Sequence, residues 1–181
     1  MKFAMSVVLA GWAAAVAFAQ VPLPEGFKAP TEYVTETYKL VPLGPDVAEL
    51  DYKAYMSSIE HIRKTNGGNW PREDLTMDDQ AKDMANEAHE WATLHSYPYA
   101  VLTLDGSKEL GCFYLRPSGK QGYDVVATMW VTKDQFDKGF EKTLEKDMRA
   151  WVADAWPFSK GKVAWVGKDI SREKWKEMPD K

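Results

Sequence analysis

What this chain lacks narrows its class before any motif is considered. It has one cysteine, Cys112, which rules out an internal disulfide and leaves the hydrophobic core alone to hold the fold. Cys112 sits within the apolar stretch "LGCFYL", which suits a packed thiol better than a reactive one. Lysine and arginine form no cluster and the formal net charge is −4. Such a surface cannot neutralise a run of phosphates, so nucleic acid is not expected as a partner. No Gly-x-Ser-x-Gly elbow marks a serine nucleophile. The run "HEWATLH" holds His89 and His95, but a six-residue separation turns two helical side chains about 120° apart. His61 is remote in sequence, so the expectation is no metal site. The chain carries neither an internal repeat nor a low-complexity segment.

Long hydrophobic runs are also missing. The apolar stretch after Lys2 is shorter than the roughly 20 residues a membrane-crossing helix needs. It ends in Ala17-Phe18-Ala19, the small-x-small pattern of a signal-peptidase site, so residues 1–19 read as a secretory signal peptide. Gln20 follows, where a lipid anchor would require cysteine. The mature chain is therefore expected in the periplasm or outside the cell, with no stable membrane anchor, and the sequence leaves its oligomeric state open.

Residues 20–37 hold several prolines without periodicity and read as an extended leader, with one domain expected over 38–181. "TYKLVPLG" predicts a first strand. The apolar positions Val47, Leu50, Ala54, Ile59 and Ile62 predict one helix over 46–62. A second helix is expected from Thr76, whose hydroxyl and Asp79 form a capping box, to about His95. Asp105-Gly106 predicts a tight two-residue hairpin between "YAVLTL" and "ELGCFYL". "YDVVATMWV" then adds a third meander strand. Phe136, Phe140, Leu144, Met148, Trp151, Val152 and Ala155 predict one long helix ended by Trp156-Pro157. "KVAWVG" is a further short strand, and residues 171–178 read as one or two helical turns. Eight tryptophans imply an aromatic core, with Trp70, Trp91, Trp151, Trp156, Trp165 and Trp175 mostly at packing positions.

This order of elements predicts an α+β fold: a mostly antiparallel sheet with a three-strand meander and helices on both sides. Over residues 38–166, through "LGCFYL", "DVVATMWV" and "WPFSKGKVAWVG", it resembles the GNAT-type N-acetyltransferase superfamily, as a divergent, exported member. The resemblance implies acetyl-CoA against the splayed end of the strand at 124–131. It also implies a pyrophosphate on backbone amides of a Gln/Arg-x-x-Gly-x-Gly/Ala turn into the next helix. The nearest match here, residues 135–139, has the wrong spacing and lacks the second small residue. Beyond Val166 there is little room for the family's last strand pair.

At that turn Thr132 and Gln135 predict a capping box that would occupy two amides, while Asp134 and Asp137 add charge that repels a diphosphate. A degraded acetyl-CoA loop is thus expected, and with it no cofactor. Strand alternation puts Asp124, Thr128 and Trp130 on one face and Cys112, Tyr114 and Arg116 on one face of the preceding strand. If those faces coincide, Tyr114, Arg116, Thr128 and Trp130 line a cleft for a small polar ligand; otherwise they form a half-exposed face with an Arg116–Asp124 pair. The expected function is small-ligand binding or an accessory role. The first alternative is an active acyl-CoA-dependent N-acetyltransferase that uses acetyl-CoA, with Asp124 or Tyr123 as acid or base. The second is a structural or partner-binding domain, which predicts an exposed apolar patch and no cleft. Cleavage of the leader has a direct check: N-terminal sequencing of the exported protein is expected to start at Gln20, and an intact Met1 in the exported fraction refutes it.

Overall fold

Period-two apolar patterning in the middle of the chain builds the sheet on which everything else rests. The computed structural model describes residues 19–181; residues 1–18, most of the predicted signal peptide, lie outside it. The strands are β1 (Tyr33–Val34), β2 (Tyr38–Pro42), β3 (Tyr97–Thr103), β4 (Glu109–Pro117), β5 (Val125–Val131) and β6 (Val163–Trp165). They lie side by side in chain order, antiparallel except for the parallel β5–β6 pair. That pair needs a long crossover, which α4 (Lys133–Asp137) and α5 (Phe140–Ala155) supply. Helices α1 (Ala48–Met56), α2 (Ile59–Asn66) and α3 (Met77–Ala92) precede the meander, and α6 (Arg172–Glu177) follows β6.

Two cores lie on opposite sides of the sheet, so the expected α+β architecture is what forms. On one side Val125, Ala127, Met129 and Val131 of β5 meet Leu144, Met148, Trp151 and Val152 of α5. Each such burial contributes about 1.5–3 kcal/mol. Aromatic rings dominate there: Tyr97, Tyr99, Trp91, Trp151 and Trp156 pack edge to face at centroid separations of 4.9–6.0 Å. On the other side Ala100, Leu102, Cys112 and Trp130 meet Ala54, Tyr55, Ile62 and Met84.

Several local expectations give way to longer-range packing. The helix foreseen over 46–62 is a 3-10 turn, Pro45–Val47, followed by α1 and α2, which part at Ser57-Ser58; the five-residue step between Ala54 and Ile59 marks this break. The long helix after β5 is also two, because Gly139 takes a left-handed conformation (φ 76°) between α4 and α5. Phe136 consequently leaves the core face and is exposed. The hairpin connection spans 104–108 rather than two residues, with Gly106 donating to the Thr103 carbonyl. The second helix stops at Ala92, short of His95. The capping box at its start is present: Asp79 N–H donates to Thr76 Oγ1 and Thr76 N–H to Asp79 Oδ2.

The segment read as a surface leader is tied down. Val21 is buried and its N–H donates to the Leu94 carbonyl at 2.8 Å. Phe27 packs on Trp156, and Tyr99 Oη donates to the Pro30 carbonyl at 2.6 Å.

Gly111 sets how closely β4 approaches β5. A Cβ there would lie 2.1 Å from the Trp130 carbonyl oxygen and 2.7 Å from Val131 Cα, and backbone on an inner strand has nowhere to retreat. Gly111→Ala is expected to lower stability by about 2–4 kcal/mol in urea unfolding; an unchanged midpoint contradicts this account of the pairing.

Candidate functional site

Register decides which side chains meet beneath the helices. Cys112 stands opposite Trp130, Tyr114 opposite Thr128 and Arg116 opposite Val126, so the two mixed faces coincide. Tyr114, Arg116, Thr128 and Trp130 line a single cavity of about 350 Å³, together with Asn66, Trp70, Asp83, Glu87, Met129 and Arg172. Its walls come from β4, β5, α3, the end of α2, the 67–76 loop and α6. The strand geometry leaves room for it. β6 pairs with β5 only from Val125 to Ala127, and after Val166 donates to the Ala127 carbonyl the chain turns back through Gly167 to Ile170. Residues 128–131 of β5 therefore have no ladder partner on that side among the described residues, and the two parallel strands part.

The aromatic walls are held by one another. Trp70, 40% exposed, packs against Trp130 at 6.0 Å and Tyr55 at 5.2 Å, so it covers the cavity instead of filling the core. The Arg116 guanidinium lies 4.2 Å from the Tyr114 ring centroid. Its ion pair is with Glu87, at 3.6 Å, and not with Asp124 as the sequence suggested. Asp124 and Tyr123 stand away from the cavity: the Asp124 backbone bonds with Ser118 and Lys162, and Tyr123 packs on Trp175 in a small cluster under α6.

Polar groups in this cavity are left without partners. Glu87 Oε2, Trp130 Nε1 and Arg172 Nε are buried and make no hydrogen bond among the described residues. Such atoms cost about 1–3 kcal/mol each when unsatisfied. Arg172 makes one bond, Nη2 to Asn66 Oδ1 at 3.0 Å, and burial pushes its pKa down. Burial also raises Glu87 to about 7, against a smaller opposing pull from Arg116. The donors and the carboxyl together can grip a small polar molecule from two sides.

A second buried polar cluster ties the helices to the sheet. Gln80 Nε2 donates to Asp51 Oδ2 at 2.8 Å and to the Ala48 carbonyl, while Tyr55 Oη donates to Gln80 Oε1 at 2.9 Å. Cys112 Sγ bonds to Glu109 Oε1 at 3.1 Å and Asp51 Oδ1 at 3.4 Å. One ligand atom from each of Asp51, Glu109 and Cys112 falls within 4.8 Å of the others, so the set has the composition of a metal site. Protons hold the cluster together, with Glu109 Oε2 left without a partner among the described residues. Burial pushes Asp51 up and Glu109 and Cys112 far up, and Glu109 shares a hydrogen bond with Asp51 that favours the proton on Glu109.

The turn after β5 is capped differently from the sequence expectation. Thr132 is the N-cap of α4 but its side chain makes no capping bond; its Oγ1 is buried and unpartnered among the described residues. Gln135 Nε2 reaches Asp134, not the Thr132 amide. The Lys133 N–H donates instead to Ser58 Oγ at 2.9 Å, from the buried break between α1 and α2. Asp134 pairs with Lys138 and Lys108, and Asp137 with Lys133.

No protein-family model matches the chain, and no curated protein is recognisably similar in sequence. Solved structures are similar in fold. A ribosomal-protein-S5-alanine acetyltransferase from Vibrio fischeri superposes with a TM-score of 0.55 at 11% identity, covering 70% of this chain and 69% of that one. A Bordetella pertussis protein described as a GnaT-family acetyltransferase gives 0.53 at 13% identity, over 72% and 75%. The chain has the fold of the GNAT acetyltransferases. An acetyltransferase from Agrobacterium tumefaciens str. C58 agrees, at 0.51 and 14% identity over 73% and 71%. At such identities the GNAT likeness establishes architecture, and chemistry has to be argued from the site.

Glu87, Arg172, Asn66 and Trp70 were not singled out from sequence. Glu87 carried a faint signal, an acid bordering the Met84–Ala88–Trp91 stripe of α3; Arg172 carried none. The raised Glu87 pKa has a testable sign. Its folded value lies above the ordinary 4.5, so the stability it contributes is complete below pH 4.5 and is lost as pH rises to about 7. Relative to Glu87→Gln, the natural protein is expected to lose roughly 1–3 kcal/mol between pH 4.5 and 8. Parallel stability profiles for the two proteins would refute it.

Proposed function

We propose that this chain is an exported small-ligand-binding protein built on the GNAT fold, not an acyl-CoA-dependent acetyltransferase. The observation that carries this is the concentration of unpartnered buried polar atoms in one cavity: Glu87 Oε2, Trp130 Nε1 and Arg172 Nε all belong to residues lining the same 350 Å³ space. Interiors rarely leave such groups unsatisfied, and a ligand that satisfies three at once recovers several desolvation penalties together. Tyr114, Arg116, Thr128 and Trp130 are the proposed ligand-binding residues, now joined by Glu87 and Arg172.

Binding follows from the geometry. Trp70 and Trp130 supply apolar surface, the parted ends of β5 and β6 supply the opening, and the polar atoms orient what enters. Arg172 and Glu87 line the same cavity, so a ligand bearing both an acceptor and a donor fits best. Asp124 and Tyr123, which an acyl-transfer mechanism would need as acid or base, lie outside this space.

Two features weigh against acetyl-CoA as a cofactor. The first amide of the turn after β5 already has Ser58 as its acceptor, so a pyrophosphate would have to displace a buried hydroxyl. The Asp134 carboxylate stands in the first turn of α4 and, although Lys138 and Lys108 pair with it, it competes with a dianion for those same cations. Export is part of the reading, supported by the composition of residues 1–19 and by the anchoring of Gln20 and Val21 to the end of α3. An exported protein has no acetyl-CoA supply.

Isothermal titration with CoA and acetyl-CoA tests the reading. No saturable heat is expected up to millimolar ligand; micromolar binding accompanied by a shift of the Lys133 amide resonance overturns it in favour of the acyltransferase.

A further inference from the structure

The charge inventory of the cavity narrows what it holds. Of its two guanidiniums, Arg116 is spoken for by Glu87 and by the face of Tyr114. Arg172 forms no ion pair among the described residues; its one partner is the neutral Asn66 Oδ1, and its Nε is buried without a partner. A half-buried guanidinium seldom goes without an anion. Gly167, at a φ of 85°, makes the turn that brings the chain back toward the cavity. A second donor lines the same space: Trp130 is 3% exposed and its Nε1 donates to nothing among the described residues. The Thr128 hydroxyl stands on the same strand face two residues earlier.

We infer that the cavity binds a small organic carboxylate, its carboxyl group held by Arg172 and Trp130 Nε1 and its body lying against Trp70 and Tyr114. This rests on the ligand-binding reading above. Arg172, the lining guanidinium without an ion pair, is matched by a single carboxylate. A phosphate, with up to two charges, would face Glu87 and Asp83 across the same cavity with too few cations to balance it. A neutral amide of the same shape would leave the guanidinium unpaired. Glu87 Oε2, on the opposite wall, remains to meet a hydroxyl or amino group of the ligand, which favours hydroxy- and amino-substituted acids over plain ones.

The test uses ¹⁵N-labelled protein and the indole N–H resonance of Trp130, assigned with Trp130→Phe. Probes are matched acid and amide pairs, namely lactate and lactamide, glycine and glycinamide, benzoate and benzamide, with inorganic phosphate as a separate arm. Acids are expected to shift the Trp130 signal saturably, and amides and phosphate to bind at least about tenfold more weakly, as the loss of a charge-assisted bond requires. Arg172→Gln is expected to weaken the acids about tenfold or more and Trp130→Phe, read from the Trp70 indole N–H that lines the same cavity, less, with Arg172→Lys partly restoring binding and thermal melts confirming that each variant folds. Amides or phosphate binding as well as acids, or an Arg172→Gln protein that binds acids normally, overturns the carboxylate assignment while leaving the cavity a ligand site. Absence of any shift at Trp130 from every probe, charged and neutral, counts against the ligand-binding reading itself.

Discussion

The pairing of β4 with β5 is the constraint on which the rest depends. Because side chains alternate with a period of two, a slip of one residue would exchange the two faces completely. Phe113, Leu115, Ala127 and Met129 would then face the α1–α3 side, and Tyr114, Arg116 and Thr128 would be forced into the aromatic core against α5. Gly111 pins the register, since only a residue without a side chain tolerates the Trp130 carbonyl at that distance. Trp130 itself is held by Cys112 across the ladder and by Trp70 above. The fold thus fixes its proposed ligand-binding residues with the same contacts that fix its core.

Above that face, the distance between helices and sheet is set by shared protons and amides. Asp51 on α1, Gln80 on α3 and Glu109 and Cys112 on β4 hold three elements together through bonds too directional to slide. A single hydrophobic contact would permit the helices to settle further down; a satisfied polar network in a low dielectric does not. Glu87, two turns along α3 from Gln80, is therefore positioned over Arg116 by a network it does not join. Its burial is what raises its pKa, against a smaller opposing pull from Arg116.

Much of the fold could be read from the sequence because its signals are local. The Thr76–Asp79 capping box, the alternation along 125–131 and the apolar stripe of α5 each depend on neighbours within a few residues, and each predicts what forms. The mixed faces of β4 and β5 were legible one strand at a time, while their coincidence stayed open because it depends on the register between the strands. What escaped was non-local. Ser58 displaces Thr132 as the partner of the α4 amide because the α1–α2 break folds onto it, a meeting of residues far apart in the chain. Gly139 ends α4 where periodicity alone continues it. Arg172 reaches the cavity only because β6 turns back at Gly167, and nothing in the segment around it announces that destination.

The departure of this chain from an acetyl-donor site can be followed through that same turn-back. Where two parallel strands part, the exposed edge of β5 offers backbone groups and an opening, and a cofactor is one way to occupy it. Here the chain beyond β6 returns to the gap and delivers a guanidinium, so the opening gains a fixed positive charge on one wall beside the indole N–H of Trp130. Meanwhile the Lys133 amide at the far end of β5 is taken by Ser58, and the first turn of α4 carries Asp134. Favourable anion sites have in effect moved from the backbone after β5 to side chains beside it. A small monoanion is served by that arrangement. On the proposed reading, a long cofactor that needs its diphosphate on the helix start is not, because one of the amides it would use is already bonded to Ser58.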